Sequence, residues 1–296
     1  MNSKLKITCF GEVLWDHLPT GKRIGGAPLN VALRLQSLGV STTMISSVGN
    51  DDNGHEIGEY LDKAGIKCLI QIDKKLPTGS VSVYLDKNGE AQYEIKEPSA
   101  WMNILKNKKI KNNIAECDVF IFGSLICRGA QSNKTLESIL ELAKYKVFDV
   151  NLRTPKIPIP LLEKLMKKAD FLKFNETEIF TISMELGFKS SSVARCIEFI
   201  STNTGTKEIC VTRGSKGVIF YTNGEYFHNS GFNVKVKDTV GAGDSFLASL
   251  VKGLHSGKTP HIALDLACAM GSLVASKEGA NCKVEEMEVI DLMWFD

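Results

Sequence analysis

Short apolar runs alternate with amphipathic stretches along most of the chain. "KITCFGEV" (6–13) reads as a strand, and "PLNVALRLQSLG" (28–39) as a helix with Pro28 near its start and Gly39 at its end. "TTMISSVG" then reads as a strand and "GHEIGEYLDKAG" as a helix. Four more apolar runs of strand length follow, "DVFIFGS", "KVFDVN", "DFLKFN" and "KEICVTRG", with helical patterns between neighbours. Strands alternating with helices predict a mostly parallel sheet covered on both faces. One segment breaks the alternation. "GSVSVYLDKNGEAQYEIK" (79–96) has period-two apolar spacing on both sides of "DKNG", a hairpin signal, and predicts a small flap set between the parallel units. The tail "TPHIALDLACAMGSLVASKEGA" is helical, so the whole reads as one α/β domain over residues 1–296 with a β lid.

The helix that opens in "KDTVGAGDSFLASL" (237–250) starts on an unusually bare backbone, with Asp244 in its first turn. Glycine costs about 1 kcal/mol in a helix interior, but at a start it lets another group approach the free N–H groups. A tight turn with a dipole-favoured carboxylate is one reading. An anion cradle with a base beside it is the other.

Composition narrows the classes. The net charge of +2 and the 43% apolar share are those of an ordinary soluble domain, with no footprint for nucleic acid or a membrane surface. The start "MNSKLKITCFGEVLWDHL" reads as a first strand and not as a secretory signal, because Gly11, Glu12 and Asp16 interrupt it. No apolar run approaches the roughly 20 residues of a membrane helix. The eight cysteines are scattered without a C-x-x-C pair and read as reduced thiols, so a cytoplasmic location is expected.

Several motifs are decoys. "GLHSGKT" has three residues between its glycines where a phosphate-binding loop needs four, and it follows a helix. Phe246 stands where a dinucleotide fingerprint needs its third glycine. The five histidines show no zinc spacing, and no G-x-S-x-G elbow is present. What remains is a set of polar residues at the predicted strand ends, where open parallel sheets bind ligands. Asp16 lies in or just after the first strand; Gly25, Gly26 and Asn30 open the first helix. Asp149, Asn151 and Arg153 follow "KVF"; Asn175, Glu176 and Glu178 follow "DFLKF"; Thr212, Arg213 and Gly214 follow "KEICV". Each alone is more often a cap or turn residue than a ligand contact; their shared position is what points to a site.

These residues also carry a resemblance. Over nearly its whole length the chain resembles the ribokinase-like (PfkB) carbohydrate kinases, through "GGAPLNVALRLQSLG", "DTVGAGDSFLASL" and, between them in order, "FDVNLR", "KFNETE" and "VTRGSKG". Within that family "GEVLWDHLP", "GGAPLN", "PSAW" and "DVNLR" are similar to fructokinases. The resemblance implies a ribokinase-like three-layer α/β fold, a mostly parallel central sheet covered by helices, with lid segments near 12–24 and 78–100. It implies ATP and Mg²⁺ as cofactors, a small sugar as partner, and transfer of the γ-phosphate to a sugar hydroxyl. Fructose is the acceptor it favours; ribose, 2-keto-3-deoxygluconate or a nucleoside, and a sugar-binding regulator without catalysis, are the alternatives. The exposed β flap is compatible with a homodimer paired through the lid across a two-fold axis, and the chain also with a monomer.

By position, Asp244 is then the catalytic base, with Gly241, Ala242 and Gly243 as the anion hole. Asp16, Gly25, Gly26 and Asn30 fall on the sugar, and Arg153 is a sugar or phosphate contact or else a surface ion pair. Asn175, Thr212, Gly214 and Gly217 fall on the nucleotide, with Gly217 and Gly214 allowing close approach. Glu178 acts near magnesium through water, or stabilises its helix start. Two departures stand out. Val240 replaces the second threonine usual in "DTTGAGD", and Glu97 and Trp101 stand where many fructokinases have Asn and Asp. The resemblance also raises K⁺, on carbonyls around Asp238, Val240, Val274, Lys277 and Gly279; Lys283 falls where some relatives add a serine, and its head group would compete with the cation.

Overall fold

The computed structural model of the chain describes residues 4–18, 21–85 and 91–295. Its strands are β1 (Lys6–Phe10), β2 (Leu14–Leu18), β3 (Gly21–Gly25), β4 (Ser41–Gly49), β5 (Lys67–Asp73), β6 (Gly79–Leu85) and β7 (Ala91–Ile95). Then come β8 (Val119–Gly123), β9 (Lys146–Asp149), β10 (Phe171–Asn175), β11 (Glu208–Thr212), β12 (Val218–Thr222) and β13 (Glu225–Asn229). The helices are α1 (Ala27–Ser37), α2 (Asp52–Lys63), α3 (Lys108–Glu116), α4 (Ala130–Leu140) and α5 (Ile159–Met166). They continue with α6 (Glu176–Glu185), α7 (Val193–Thr204), α8 (Ala242–His255), α9 (Pro260–Ala275) and α10 (Glu286–Phe295).

Nine strands form the large sheet, in the order β13-β12-β11-β10-β9-β8-β1-β4-β5. From β11 to β5 every pairing is parallel; β12 and β13 complete one edge as an antiparallel pair. The strands read as continuous apolar runs because both faces are covered. On one face Phe120, Phe122 and Phe148 stack at 5.6 and 4.8 Å and pack with residues of α3–α7. On the other, Ile7, Cys9, Ile121 and Val147 pack with residues of α1, α2, α8 and α9. This is the expected three-layer arrangement. The eight cysteines are free thiols, six of them buried. Among the described residues no helix is long and apolar enough to cross a membrane.

A separate four-stranded sheet has the order β3-β2-β6-β7. The expected hairpin is present, with Val81 opposite Ile95 in an antiparallel pair, although the turn "DKNG" lies outside the described residues. It is not a lone flap. β2 and β3 form a second hairpin, and β2 joins β6 in parallel. Asp16 therefore belongs to the small sheet, opposite Arg23, and not to the end of β1. The sheet is moored to α2 by the Trp15 indole, which donates to the Asn53 carbonyl at 3.0 Å.

Candidate active site

The parallel strands end on a common side, and there α8 begins. Gly241 caps α8 in the left-handed region, at φ 75°. The turn it closes returns the Ala242 N–H to the Thr239 carbonyl at 3.2 Å, so this N–H, expected in an anion hole, is already engaged. The N–H groups of Gly241, Gly243 and Asp244 find no acceptor among the described residues. The two outer glycines are there for different reasons. A Cβ on Gly241 would fall 2.3 Å from the Ala280 Cβ, so its place is set by packing as well as by φ. A Cβ on Gly243 would meet only the Lys173 Nζ, at 3.6 Å, an ordinary contact. No neighbour demands a glycine at 243, and the space beside it is open.

Asp244 is fixed by a chain of amides. Its Oδ2 accepts from Asn30 Nδ2 at 2.8 Å, and Asn30 Oδ1 in turn accepts from Asn281 Nδ2 at 3.2 Å. The other oxygen, Oδ1, takes no hydrogen bond among the described residues. Burial pushes the Asp244 carboxyl up to about 6; Asp149 adds to the rise, while Lys173, Asn30 and Arg153 oppose it. Beneath this chain Arg34 is buried, donating from Nε to Ser245 Oγ at 3.0 Å and from Nη2 to the carbonyls of Ala280 and Cys282 at 3.4 and 2.9 Å.

On the small-sheet side, burial raises Asp16 to about 6, against the pull of the Arg153 charge. Gly25 is bare because a Cβ would fall 2.2 Å from Asp16 Oδ2. Gly26, at φ 111°, passes the Glu12 carbonyl as closely, with its Cβ position 2.4 Å away. Glu12 itself is buried; Oε1 accepts the Ala27 N–H at 3.1 Å, and Oε2 has no partner. Burial drives its carboxyl up to about 7. Arg153 is exposed and makes no ion pair among the described residues, yet its charge reaches Glu12, Asp16 and Asp244.

On the opposite side of the α8 start lies a cavity of about 590 Å³, bordered by Thr212, Gly214, Gly217, Thr239, Gly243 and Phe246 among others, none of its lining residues charged. Gly214, at φ 58°, faces open space. Gly217 does not. Its Cβ position is 2.0 Å from the Asn229 carbonyl, so chain packing, not ligand approach, accounts for that glycine. Asn175 and Glu178 form a reciprocal capping box at the start of α6. The two Glu178 oxygens accept the N–H groups of Leu152 and Asn175 at 2.9 and 2.8 Å, which leaves lone pairs for water. Among the described residues no three His, Cys, Asp or Glu side chains converge on a metal position.

Lys283, expected to press on a cation site, turns away: its side chain is 85% exposed and pairs with Glu285. The ammonium inside that loop is Lys277, bound to Glu288 at 2.6 and 2.7 Å and to the Lys283 carbonyl at 2.8 Å. Gly279 N–H donates to Asp238 Oδ2 at 3.0 Å, so the two segments expected to share an ion do lie together. Trp101 is fully buried beside Gly79, and Glu97 pairs with Arg128 at 2.8 Å. The lid departures are thus a core side chain and an ion pair.

Sequence reasoning passed over Glu12, Lys173 and Asn281 as site residues. A charged residue inside an apolar strand run, as in "DFLKF", was the available signal for Lys173.

The profile of the pfkB family carbohydrate kinases matches residues 6–287. Fructokinase-2 of Solanum lycopersicum is 29% identical over 302 residues, covering 93% of this chain and 91% of that protein. Fructokinase of Solanum tuberosum is 30% identical with the same coverage. The crystal structure of a fructokinase with bound ATP from Xylella fastidiosa superposes with a TM-score of 0.85, covering 97% of this chain and 98% of that one, at 22% identity.

Proposed function

The chain belongs to the pfkB carbohydrate kinase family, and from that premise we propose that it transfers the γ-phosphate of ATP to the 6-hydroxyl of fructose, with Asp244 as the base. The observation that carries this reading is the placement of Asp244: an amide-fixed carboxylate with one free oxygen, at a helix start whose neighbouring N–H groups are unclaimed.

A sugar hydroxyl is a poor nucleophile until its proton leaves. Asp244 Oδ1 accepts that proton as the sugar oxygen bonds to phosphorus and the bond to the ADP oxygen breaks. The carboxyl's position near 6 keeps it ionised at neutral pH and makes it a better base than a free carboxylate. The N–H groups of Gly243 and Asp244 meet the charge on the moving phosphoryl group, helped by the positive end of α8. Asp16, Asn30 and Arg153 offer acceptors and donors to the sugar hydroxyls, with Gly25 and Gly26 holding the backbone against them. Thr212 and Gly214 border the nucleotide, which occupies the uncharged cavity, and Asn175 holds Glu178 in place. Mg²⁺, when bound, neutralises phosphate charge; Glu178 would hold it through water. A potassium ion would be held by carbonyls of the 238–240 and 277–279 segments. The small sheet covers the sugar as a lid. Two copies pair through it, at the edge strands β3 and β7.

Relatives at 29–30% identity named fructokinase support fructose as the acceptor. The test is ATP-dependent phosphorylation across ketoses, aldoses, sugar acids and nucleosides, with fructose expected to give the highest kcat/KM. Equal or faster turnover of ribose, 2-keto-3-deoxygluconate or adenosine overturns fructose but leaves the kinase. No turnover of any acceptor removes catalysis and leaves a sugar-binding protein.

A further inference from the structure

A lysine lies behind the α8 cradle. Lys173 stands in the middle of β10, directly opposite Asp149 of β9, and is 7% exposed. Its Nζ donates to Asp149 Oδ1 at 2.9 Å, the one hydrogen bond it makes among the described residues. Two of its three N–H donors are therefore unused. Asp149 Oδ2 is also buried without a partner. Such a pair is a poor investment in stability, since a buried ion pair is often no better than apolar residues of the same volume. Its place is more informative. The nearest group to the open side of Gly243 is this ammonium, 3.6 Å from where a Cβ would stand, and nothing else lies within 4 Å. A fixed cation with spare donors thus adjoins a backbone cradle whose own N–H groups are unclaimed.

We propose that Lys173 is a further catalytic residue of the phosphoryl transfer: its ammonium, held by Asp149, donates a charged hydrogen bond to the transferred phosphoryl group as it lies over the start of α8. The inference rests on the kinase reading. Asp149 is then a positioning residue, acting through Lys173. A fixed ammonium beside the cradle stabilises phosphoryl charge without reorganising at the moment of reaction, and Gly243 keeps the space between them clear. Lys173 also bears on Asp244, whose carboxyl feels Asp149, Lys173 and Arg153, with Glu12 titrating nearby. The two effects are separable, because a shift in Asp244 alone moves the pH profile and spares the plateau.

The experiment compares wild type, Lys173→Met and the double variant Lys173→Met/Asp149→Asn, which leaves no lone buried carboxylate should the single variant fold poorly. Folding is checked by circular dichroism and thermal unfolding. With fructose and ATP, kcat on the plateau near about pH 8 should fall by about 10²–10³, with both KM values little changed. ADP alone should bind as before, while ADP with magnesium, aluminium fluoride and fructose, which mimics the flat phosphoryl group, should bind more weakly by a similar factor. A folded double variant with the wild-type plateau overturns the contact, as does a loss confined to acid pH. A wild type without turnover on any acceptor fails the kinase reading and this inference with it, and is seen before any variant is compared.

Discussion

The two sides of the α8 start are built on opposite principles. Toward the small sheet stand three carboxyl groups raised by burial, Glu12 near 7 and Asp16 and Asp244 near 6, with Asn30 and Arg153 among them. Toward β11 the cavity walls carry no charged residue. A ligand on the charged side must satisfy each buried group, and every group left unpaired costs roughly 1–3 kcal/mol, so that side discriminates. On the uncharged side shape and backbone do the holding, and no single side chain dominates. On the kinase reading, selection and retention fall to different chemistry on the two sides of the α8 start.

The sharpest way to break this contrast is at the boundary itself. Asp244→Asn should lower kcat by about 10²–10⁴ while sugar binding changes far less. Steady-state kinetics beside direct fructose titration measures both; a near-normal kcat in the folded variant removes Asp244 as base.

The two glycines give a paired test of nearly the same size. Gly243→Val should fold, since nothing crowds the site, yet lose about 2–4 kcal/mol of transition-state stabilisation by filling the cradle. Gly241→Ala should instead lower the thermal midpoint, because both φ and Ala280 oppose a side chain there. Equal unfolding temperatures for the two variants would erase the distinction between packing and ligand space.

Asp16→Ala should act on one side alone. Discrimination between fructose and sugars of other stereochemistry should shrink by about tenfold or more, with the KM for ATP unchanged. A matching rise in the ATP KM would show that the two sides are not separate.

The smallest effect is a titration. As pH falls through about 6, Asp244 protonates and kcat/KM drops roughly tenfold per unit. Stability moves the other way. A carboxyl raised by folding is favoured in its protonated form, so its ionisation weakens the fold as pH rises from about 4 through about 6. Asp244→Asn should therefore unfold at a higher temperature than wild type at neutral pH, and at about the same temperature at pH near 4. A parallel loss of stability at both pH values would place the strain elsewhere.

Much of the fold was legible because buried parallel strands are short apolar runs, and "VFIFG" or "EICVT" could hardly be anything else. The second hairpin was legible only through the resemblance, as a lid segment near 12–24, and not from its own pattern. "LWDHL" and "GKRIG" are brief and mixed, and become strands only by pairing with each other and with β6. The candidate site divides likewise. Asp244 announces itself through the glycines beside it. Lys173 and Asp149 are 24 positions apart, and their pairing exists only once β9 and β10 are known to be neighbours. Gly217 shows a different limit: it borders the cavity, as its motif implied, but the Asn229 carbonyl, 2.0 Å from its Cβ position, is what requires a glycine there.

Arg34 has a consequence for how the protein is made. Its guanidinium is held by residues 211 and 248 positions further along the chain, and Asn30 on the same helix is tied to a residue 251 positions away. Burying that charge before its acceptors exist would cost several kcal/mol. During synthesis, then, α1 is made early and must wait in water until residues 245–282 have left the ribosome. The base, the cradle and the amide chain come together in that step, so a ribosome-stalled chain ending before residue 241 would carry every strand from β1 to β13 but neither the cradle nor the base.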